Sequence, residues 1–242
     1  MYLIIYKPKA YNINIGDSYS SSSFSISGTK SSASNPIGNP AQSMFDFKTL
    51  PEVLTTQLNT SLTLTYDLAS AGATAIYTLV RRVRKALDQE SPTTVTHPTY
   101  APWTAESSLF AVWLGVNDVS DTYSQSGEDA WINRDLDNYF PVSCPCTRVE
   151  HESLLFLASP ASLPYPLCCP KEHAYSCVMP TRIAAFKPAN LEANDALVDT
   201  QTAFNTTISS PSGYGAPDAP CFNSDGKYCL RWNNYHPQAA IH

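Results

Sequence analysis

The chain has 242 residues, long enough for one α/β domain with a sizeable core and short for two. Hydrophobic residues make up 43 %, which excludes a disordered chain, and the net charge of −6 disfavours a nucleic-acid partner, which would want a basic surface. No stretch approaches about eighteen apolar residues, so no membrane span is expected.

The apolar run within Met1 to Lys7 is too short for a secretory signal. Tyr11 to Ile15 reads as a strand that runs into a turn at Gly16, Asp17, Ser18 and Tyr19. A Ser-rich loop follows to about Ser34, then the pairs Asn35-Pro36 and Asn39-Pro40. Leu50, Val53, Leu54 and Leu58 recur at helical spacing within Met44 to Leu58, and Pro51 sets the helix start near Thr49. Leu62, Leu64 and Tyr66 alternate with Thr63 and Thr65, the pattern of a half-buried strand. It ends in a small-residue turn around Gly72. A helix is expected over Ala75 to Asp88, with Arg81, Arg82, Arg84 and Lys85 on its wet face, and a polar linker from Gln89 to Pro102.

Leu109 to Leu114 is a continuous apolar run, as in a central parallel strand buried on both faces. It ends in Gly115, Val116, Asn117 and Asp118. Leu154 to Leu157 and Ala196 to Asp199 read as further strands. Strands alternating with helices predict one α/β domain over residues 1–242: a three-layer sandwich with a mostly parallel central sheet. In such sheets ligands bind at the carboxyl ends of the strands, where three of these polar turns fall.

The stretch from Pro141 to Pro180 is anomalous. It holds many prolines and Cys144, Cys146, Cys168, Cys169 and Cys177, and no amphipathic helix can be read there, although the sheet needs a crossover. A gene-model error is one expectation for it. The Cys and His173 spacing matches none of the common paired-Cys zinc knuckles, so no metal is assigned. His97 and His173 sit in Pro-containing loops and receive no role. Asn59 and Asn205 each open a glycosylation sequon. Cys221 and Cys229 are close enough to close a small loop, which implies an oxidising compartment. Together these features point to a secreted, glycosylated protein whose signal peptide lies outside this chain.

Four segments carry the chemistry: Gly16-Asp17-Ser18-Tyr19, Gly72-Ala73-Thr74, Gly115-Val116-Asn117-Asp118 and Trp232-Asn233-Asn234-Tyr235-His236-Pro237. Their order and spacing resemble the SGNH (GDSL) hydrolase superfamily, above all the fungal acetylesterases and lipases close to carbohydrate esterase family 16. The resemblance covers about Tyr11 to Phe140 and Ala185 to His242. It implies a flavodoxin-like sandwich and ester hydrolysis through an acyl-serine intermediate, with no cofactor. Ser18 would be the nucleophile at a strand-to-helix turn, and His236 its base. The Ser18 and Gly72 backbone N–H groups and the Asn117 amide would stabilise the oxyanion. The family pattern has an Asp three residues before the His, and here that position is Asn233. Three readings follow: a Ser18–His236 dyad with Asn233 or a backbone carbonyl orienting the ring, another acid such as Asp225, or weak catalysis. The dyad is favoured.

The resemblance further implies acetylated carbohydrates as substrates of a monomeric enzyme. The rivals are a lipase or phospholipase, which would want a lid helix, and a non-catalytic pseudoenzyme or damaged gene product. The family's C-terminal helix has no counterpart in the six residues after His236, so apolar surface is expected to be left exposed.

Overall fold

The computed structural model describes residues 9–38, 48–75, 100–104, 106–122, 125–147, 153–157, 169–186, 194–225 and 227–238, with backbone alone at 128–129, 141–147, 153, 169–176 and 194–195. Strands β1 (Tyr11–Gly16), β2 (Leu64–Asp67), β3 (Ser108–Trp113), β4 (Ser153–Leu157) and β5 (Asn194–Val198) form one sheet in the order β2-β1-β3-β4-β5. Every pairing is parallel. Around it stand α1 (Leu50–Thr56), α2 (Val116–Thr122), α3 (Glu128–Thr147), α4 (Cys169–Phe186) and α5 (Thr200–Ser209).

Successive strand residues face opposite sides of the sheet. On one side Ile13, Ile15, Phe110, Val112, Leu154 and Phe156 meet Ile132, Leu136 and Tyr139 of α3 and Met179 and Ile183 of α4. On the other, Ala111, Trp113, Leu155 and Leu157 meet Phe204 of α5, with Leu50 of α1 at the edge. This double cover explains the unbroken apolar run of β3: either orientation of a side chain leads into core. Each such Leu, Ile or Phe contributes about 1.5–3 kcal/mol when fully buried. The expected α/β sandwich is therefore the observed one. A strand order of 2-1-3-4-5 also reverses direction between β1 and β3, the crevice where doubly wound sheets bind ligands.

The first helix starts as expected. Thr49 is its N-cap in a capping box with Glu52, and Pro51 sits in the first turn, where its missing N–H costs nothing. The expected extension back to Met44 falls on residues 44–47, outside the described ones, as do most of the Ala75–Asp88 helix, its basic run, and His97.

The second strand departs from expectation. It begins at Leu64, leaving Leu62 52 % exposed, and it is not half-buried: Thr65 is buried against α1, where its hydroxyl meets that of Thr55. Thr65, on the face that the alternation marked as exposed, is packed because a helix covers it.

The Pro141–Pro180 stretch also needs correction, for helices occupy both ends of it. The carboxyl end of α3 reaches Thr147, and α4 begins at Cys169, so His173 lies on a helix and not in a loop. These helices supply the crossovers that the sequence seemed to lack. The prolines hid them. Pro180 sits inside α4, where it removes a backbone hydrogen bond at a cost of about 3 kcal/mol. Burial of its neighbours Met179 and Ile183 offsets that cost. Residues 148–152 and 158–168, with Cys168, lie outside the described ones.

A groove of about 270 Å³ opens beside α1 at the amino-terminal end of the sheet, lined by Tyr11, Leu54, Leu58, Leu109 and Leu155 among others. Leu58 on its rim is 66 % exposed. Among the described residues no helix is long and apolar enough to cross a membrane.

Candidate active site

Three strands deliver the site. β1 ends at Gly16, where a Cβ would come within 2.9 Å of the Trp113 carbonyl, so only glycine lets the chain turn this close to β3. The Ser20 N–H reaches the Asp17 carbonyl at 3.3 Å and the Asp17 carboxylate accepts from the Tyr19 N–H at 2.9 Å, which closes the turn around Ser18. No helix follows: residues 18–38 continue as turns and irregular chain. Ser18 is 4 % exposed, and the expected strand-to-helix turn is a strand-to-turn elbow with the serine buried. The Ser-rich stretch after it forms side-chain-stabilised turns, which compete with helix formation. Asp67, at the end of β2, fastens the elbow from below. It accepts from Asn14 Nδ2 at 2.6 Å, from the Ala69 N–H at 3.0 Å and from the Ser22 N–H. Burial pushes its carboxyl above the usual range, and those donors pull it back.

His236 covers Ser18. Its Nε2 lies 2.9 Å from Ser18 Oγ, and its Nδ1 lies 3.1 Å from Asn233 Oδ1. The same Oδ1 accepts the backbone N–H groups of Tyr235 and His236, both at 2.8 Å. Two N–H donors fix which end of the amide faces the ring, since Nδ2 could not accept them. An acceptor opposite Nδ1 selects the Nδ1–H tautomer, which leaves the Nε2 lone pair for the Ser18 hydroxyl. Desolvation holds the His236 pKa down at about 4, so the ring is neutral at neutral pH. Asp225, the alternative acid, is exposed in a loop where Asn223 Nδ2 and the Lys227 N–H bind its carboxylate.

Gly72 has φ +71°, a left-handed conformation that glycine adopts without strain, and a Cβ there would meet none of the described residues within 4 Å. The glycine thus answers to its backbone angle. Asn117, in the first turn of α2, donates from Nδ2 to the Ala73 carbonyl at 3.0 Å, and the second Nδ2 hydrogen is left for another acceptor. Asp118 returns the connection, accepting the Ala75 N–H at 2.9 Å. Sequence reasoning gave Asp118 no part, although its place after Asn117 was visible. Burial raises the Asp118 pKa to about 7 and that of Asp17 to about 8, with Asp118 adding to the latter by charge repulsion.

The His236 segment hangs on no named strand. Isolated bridges join Phe222 with Arg231 and Arg231 with Pro237, Cys221 and Cys229 form a disulfide, and Gln238 Nε2 donates to the Arg231 carbonyl at 2.9 Å. Elsewhere, Cys177 is exposed on α4. Among the described residues no three His, Cys, Asp or Glu side chains group as metal ligands. Asn59 and Asn205 are both exposed, the first in the loop after α1 and the second on α5.

No family model matches the chain. An acetylesterase of Thermothelomyces thermophilus is 35 % identical over 253 residues, covering 96 % of this chain and 84 % of that one. Among solved structures, an acetyl xylan esterase of Geobacillus stearothermophilus aligns with a TM-score of 0.56 at 14 % identity, over 97 % of this chain and 90 % of that one. A GDSL-like lipase of Parabacteroides merdae gives 0.51 at 11 % identity, over 88 % of each chain. At such identities the two structures speak for the fold, and the acetylesterase speaks for the family. On that kinship over nearly its whole length, the chain belongs to the SGNH (GDSL) hydrolases and is a carboxylic ester hydrolase.

Proposed function

We propose that this chain is a single-domain enzyme that removes acetyl groups from carbohydrates through an acyl-serine intermediate on Ser18. The observation that carries the chemistry is the 2.9 Å contact between His236 Nε2 and Ser18 Oγ, with Asn233 Oδ1 behind the ring. Ser18 Oγ attacks the ester carbonyl carbon and its proton passes to Nε2. The Ser18 N–H, the Gly72 N–H and the second Asn117 Nδ2 hydrogen take the oxyanion; losing one such donor costs about a hundred- to a thousandfold in other hydrolases. Collapse breaks the bond to the sugar oxygen, which leaves with the proton from Nε2. Water then attacks the acyl group, gives a proton to Nε2, and Ser18 recovers it as acetate departs. Asn233 supplies orientation and a dipole but no counter-charge, so the imidazolium formed midway rests on an amide oxygen.

The acetyl and carbohydrate parts of the reading are supported by the relatives, an acetylesterase and an acetyl xylan esterase. We place the enzyme outside the cell as a monomer with glycans on Asn59 and Asn205, which glycosidase treatment of the secreted protein would show as a loss of mass.

The test is turnover of p-nitrophenyl acetate, butyrate and octanoate, and acetate release from acetylated xylo- and manno-oligosaccharides, with Ser18→Ala as control. Acetate turnover should fall with acyl length, and the variant should lose about ten-thousandfold or more in kcat. A wild-type rate equal to that of the variant, in protein with the circular dichroism of a folded α/β domain, would favour the non-catalytic reading.

A further inference from the structure

Catalysis at this site needs three chain segments in fixed relation: the elbow with Ser18, the loop with His236 and the start of α2 with Asn117. The sheet fixes the first and third, because they leave adjacent parallel strands, β1 and β3. It does not fix the second. The described residues between the 3-10 turn Pro211–Tyr214 and Gln238 contain no named strand or helix. Something else must hold the base over the nucleophile.

Two tyrosines occupy that place. Tyr19, next to Ser18, donates its hydroxyl to the Tyr235 carbonyl at 2.6 Å. Tyr235, next to His236, donates its hydroxyl to the Val116 carbonyl at 3.0 Å. Val116 in turn precedes Asn117. Each hydrogen bond therefore joins the neighbours of two proposed catalytic groups, and the two in series join all three segments. The rings reinforce the path. Tyr19 is 2 % exposed, and its ring centroid lies 5.9 Å from Trp113, 6.5 Å from Phe204, 6.1 Å from Tyr235 and 5.8 Å from His236. Tyr235 lies edge-on to the imidazole at 5.2 Å. A buried ring in four such contacts has little freedom, so its hydroxyl is an anchored donor and not a swinging one. The short O–H···O contact to the Tyr235 carbonyl is within the range of a good neutral bond.

We infer that Tyr19 and Tyr235 are positioning residues whose hydroxyls, through the Tyr235 and Val116 carbonyls, hold the His236 loop in register with Ser18 and Asn117. The inference rests on the reading of Ser18, His236 and Asn117 given above. Neither hydroxyl touches the reacting atoms. Their effect is on the fraction of time that Nε2 faces Oγ, which enters kcat and not the binding of an ester. A small displacement of the base is enough to slow proton transfer, because that step demands hydrogen-bond contact.

The test uses Tyr19→Phe, Tyr235→Phe and the double variant, which keep the rings and delete only hydroxyls. Active serines are counted with a fluorophosphonate probe, and kcat and KM for p-nitrophenyl acetate are expressed per titrated serine. Each single variant should lose about five- to tenfold in kcat, with KM within about twofold of wild type. The double variant should lose less than the product of the two, because both bonds restrain one loop. Rates per titrated serine within about twofold of wild type overturn the inference. So does a loss confined to the titratable fraction or the thermal midpoint, which is what a merely structural role would produce. Ser18→Ala run beside them separates the two claims. If it retains turnover, the site reading fails and this inference falls with it; if it is inactive while the Phe variants match wild type, the inference fails alone.

Discussion

Asn233 occupies the position at which a charged carboxylate would be expected, and its surroundings hold its amide oxygen toward the imidazole. Three N–H groups converge on one oxygen: two from the backbone of its own turn and one from the imidazole. The usual failing of an amide behind a catalytic His is that it presents its NH₂ end and selects the wrong tautomer. Here the backbone donors forbid that. What the amide lacks is charge, and with desolvation unopposed His236 stays neutral down to about pH 4. The Asn233→Asp variant should restore an anion beside Nδ1 and raise the His236 pKa, by roughly 1–2 units. The acid limb of the kcat/KM profile should move upward accordingly. An unmoved limb would mean that residue 233 does not face the ring in the working enzyme. Ser18, Gly72, Asn117 and His236, the groups proposed for the site, could be picked out in the sequence because each stands in a short motif at the end of a strand or before Pro237. The tautomer control could not, since it depends on how a turn folds back on one side chain. The tyrosine hydroxyls were invisible for a similar reason: their acceptors are carbonyls far away in the chain.

Among the elements, the strands were easier to read than the helices. A parallel strand covered on both faces is a solid apolar run, and β3 and β4 announce themselves. Ile132, Leu136 and Tyr139 stand at helical spacing in α3, a signal that could have been read and was eclipsed by the prolines that follow. For α4, tertiary burial overrides local preference, and no local pattern would have revealed it. The disulfide segment is a further case. Cys221–Cys229 closes a loop of eight residues in sequence separation, just ahead of the turn that bears His236. By loop-closure entropy such a link stabilises the closed form by about 2–3 kcal/mol. Because the segment hangs on isolated bridges, that stabilisation acts on the His236 loop first. The Cys221→Ser, Cys229→Ser double variant should therefore lose kcat at temperatures well below its global unfolding, as read by activity and far-ultraviolet circular dichroism against temperature. Coincident loss of both signals, as in wild type, would count against this local role.

For the molecule as a whole, the buried carboxyls set the pH at which it is most stable. Asp17, Asp67 and Asp118 are each 2 % exposed or less, and burial raises all three. A carboxyl whose pKa is higher folded than unfolded contributes stability that is complete below its unfolded pKa. It is lost as pH rises through the folded value, which for Asp17 spans 3.8 to about 8. His236 works the other way: its pKa is depressed from 6.5 to about 4, so its contribution is present above 6.5 and lost as pH falls toward 4. Three raised carboxyls outweigh one depressed imidazole, so these groups favour the region near pH 4, with a decline from there to about pH 8 that levels off beyond. Asp17→Asn keeps an acceptor for the Tyr19 N–H while removing the titration. Its stability relative to wild type should rise steadily from pH 4 to pH 8, by a few kcal/mol in all, and level off beyond. Urea unfolding at pH 5 and pH 9 measures the difference; a constant offset would show that Asp17 is not the titrating group.

The contact between the proposed nucleophile and base has one more consequence, for synthesis of the chain. Ser18 and His236 stand 218 positions apart, so their hydrogen bond closes a very long stretch of chain into a ring. Loop-closure entropy makes such a contact unfavourable until the intervening sheet has formed and brought its ends together. On a growing chain the elbow and the proposed oxyanion donors emerge long before His236. On the proposed roles, hydrolytic activity thus waits for the segment that follows the described strands, and a nascent chain ending just after β5 would be inert toward esters.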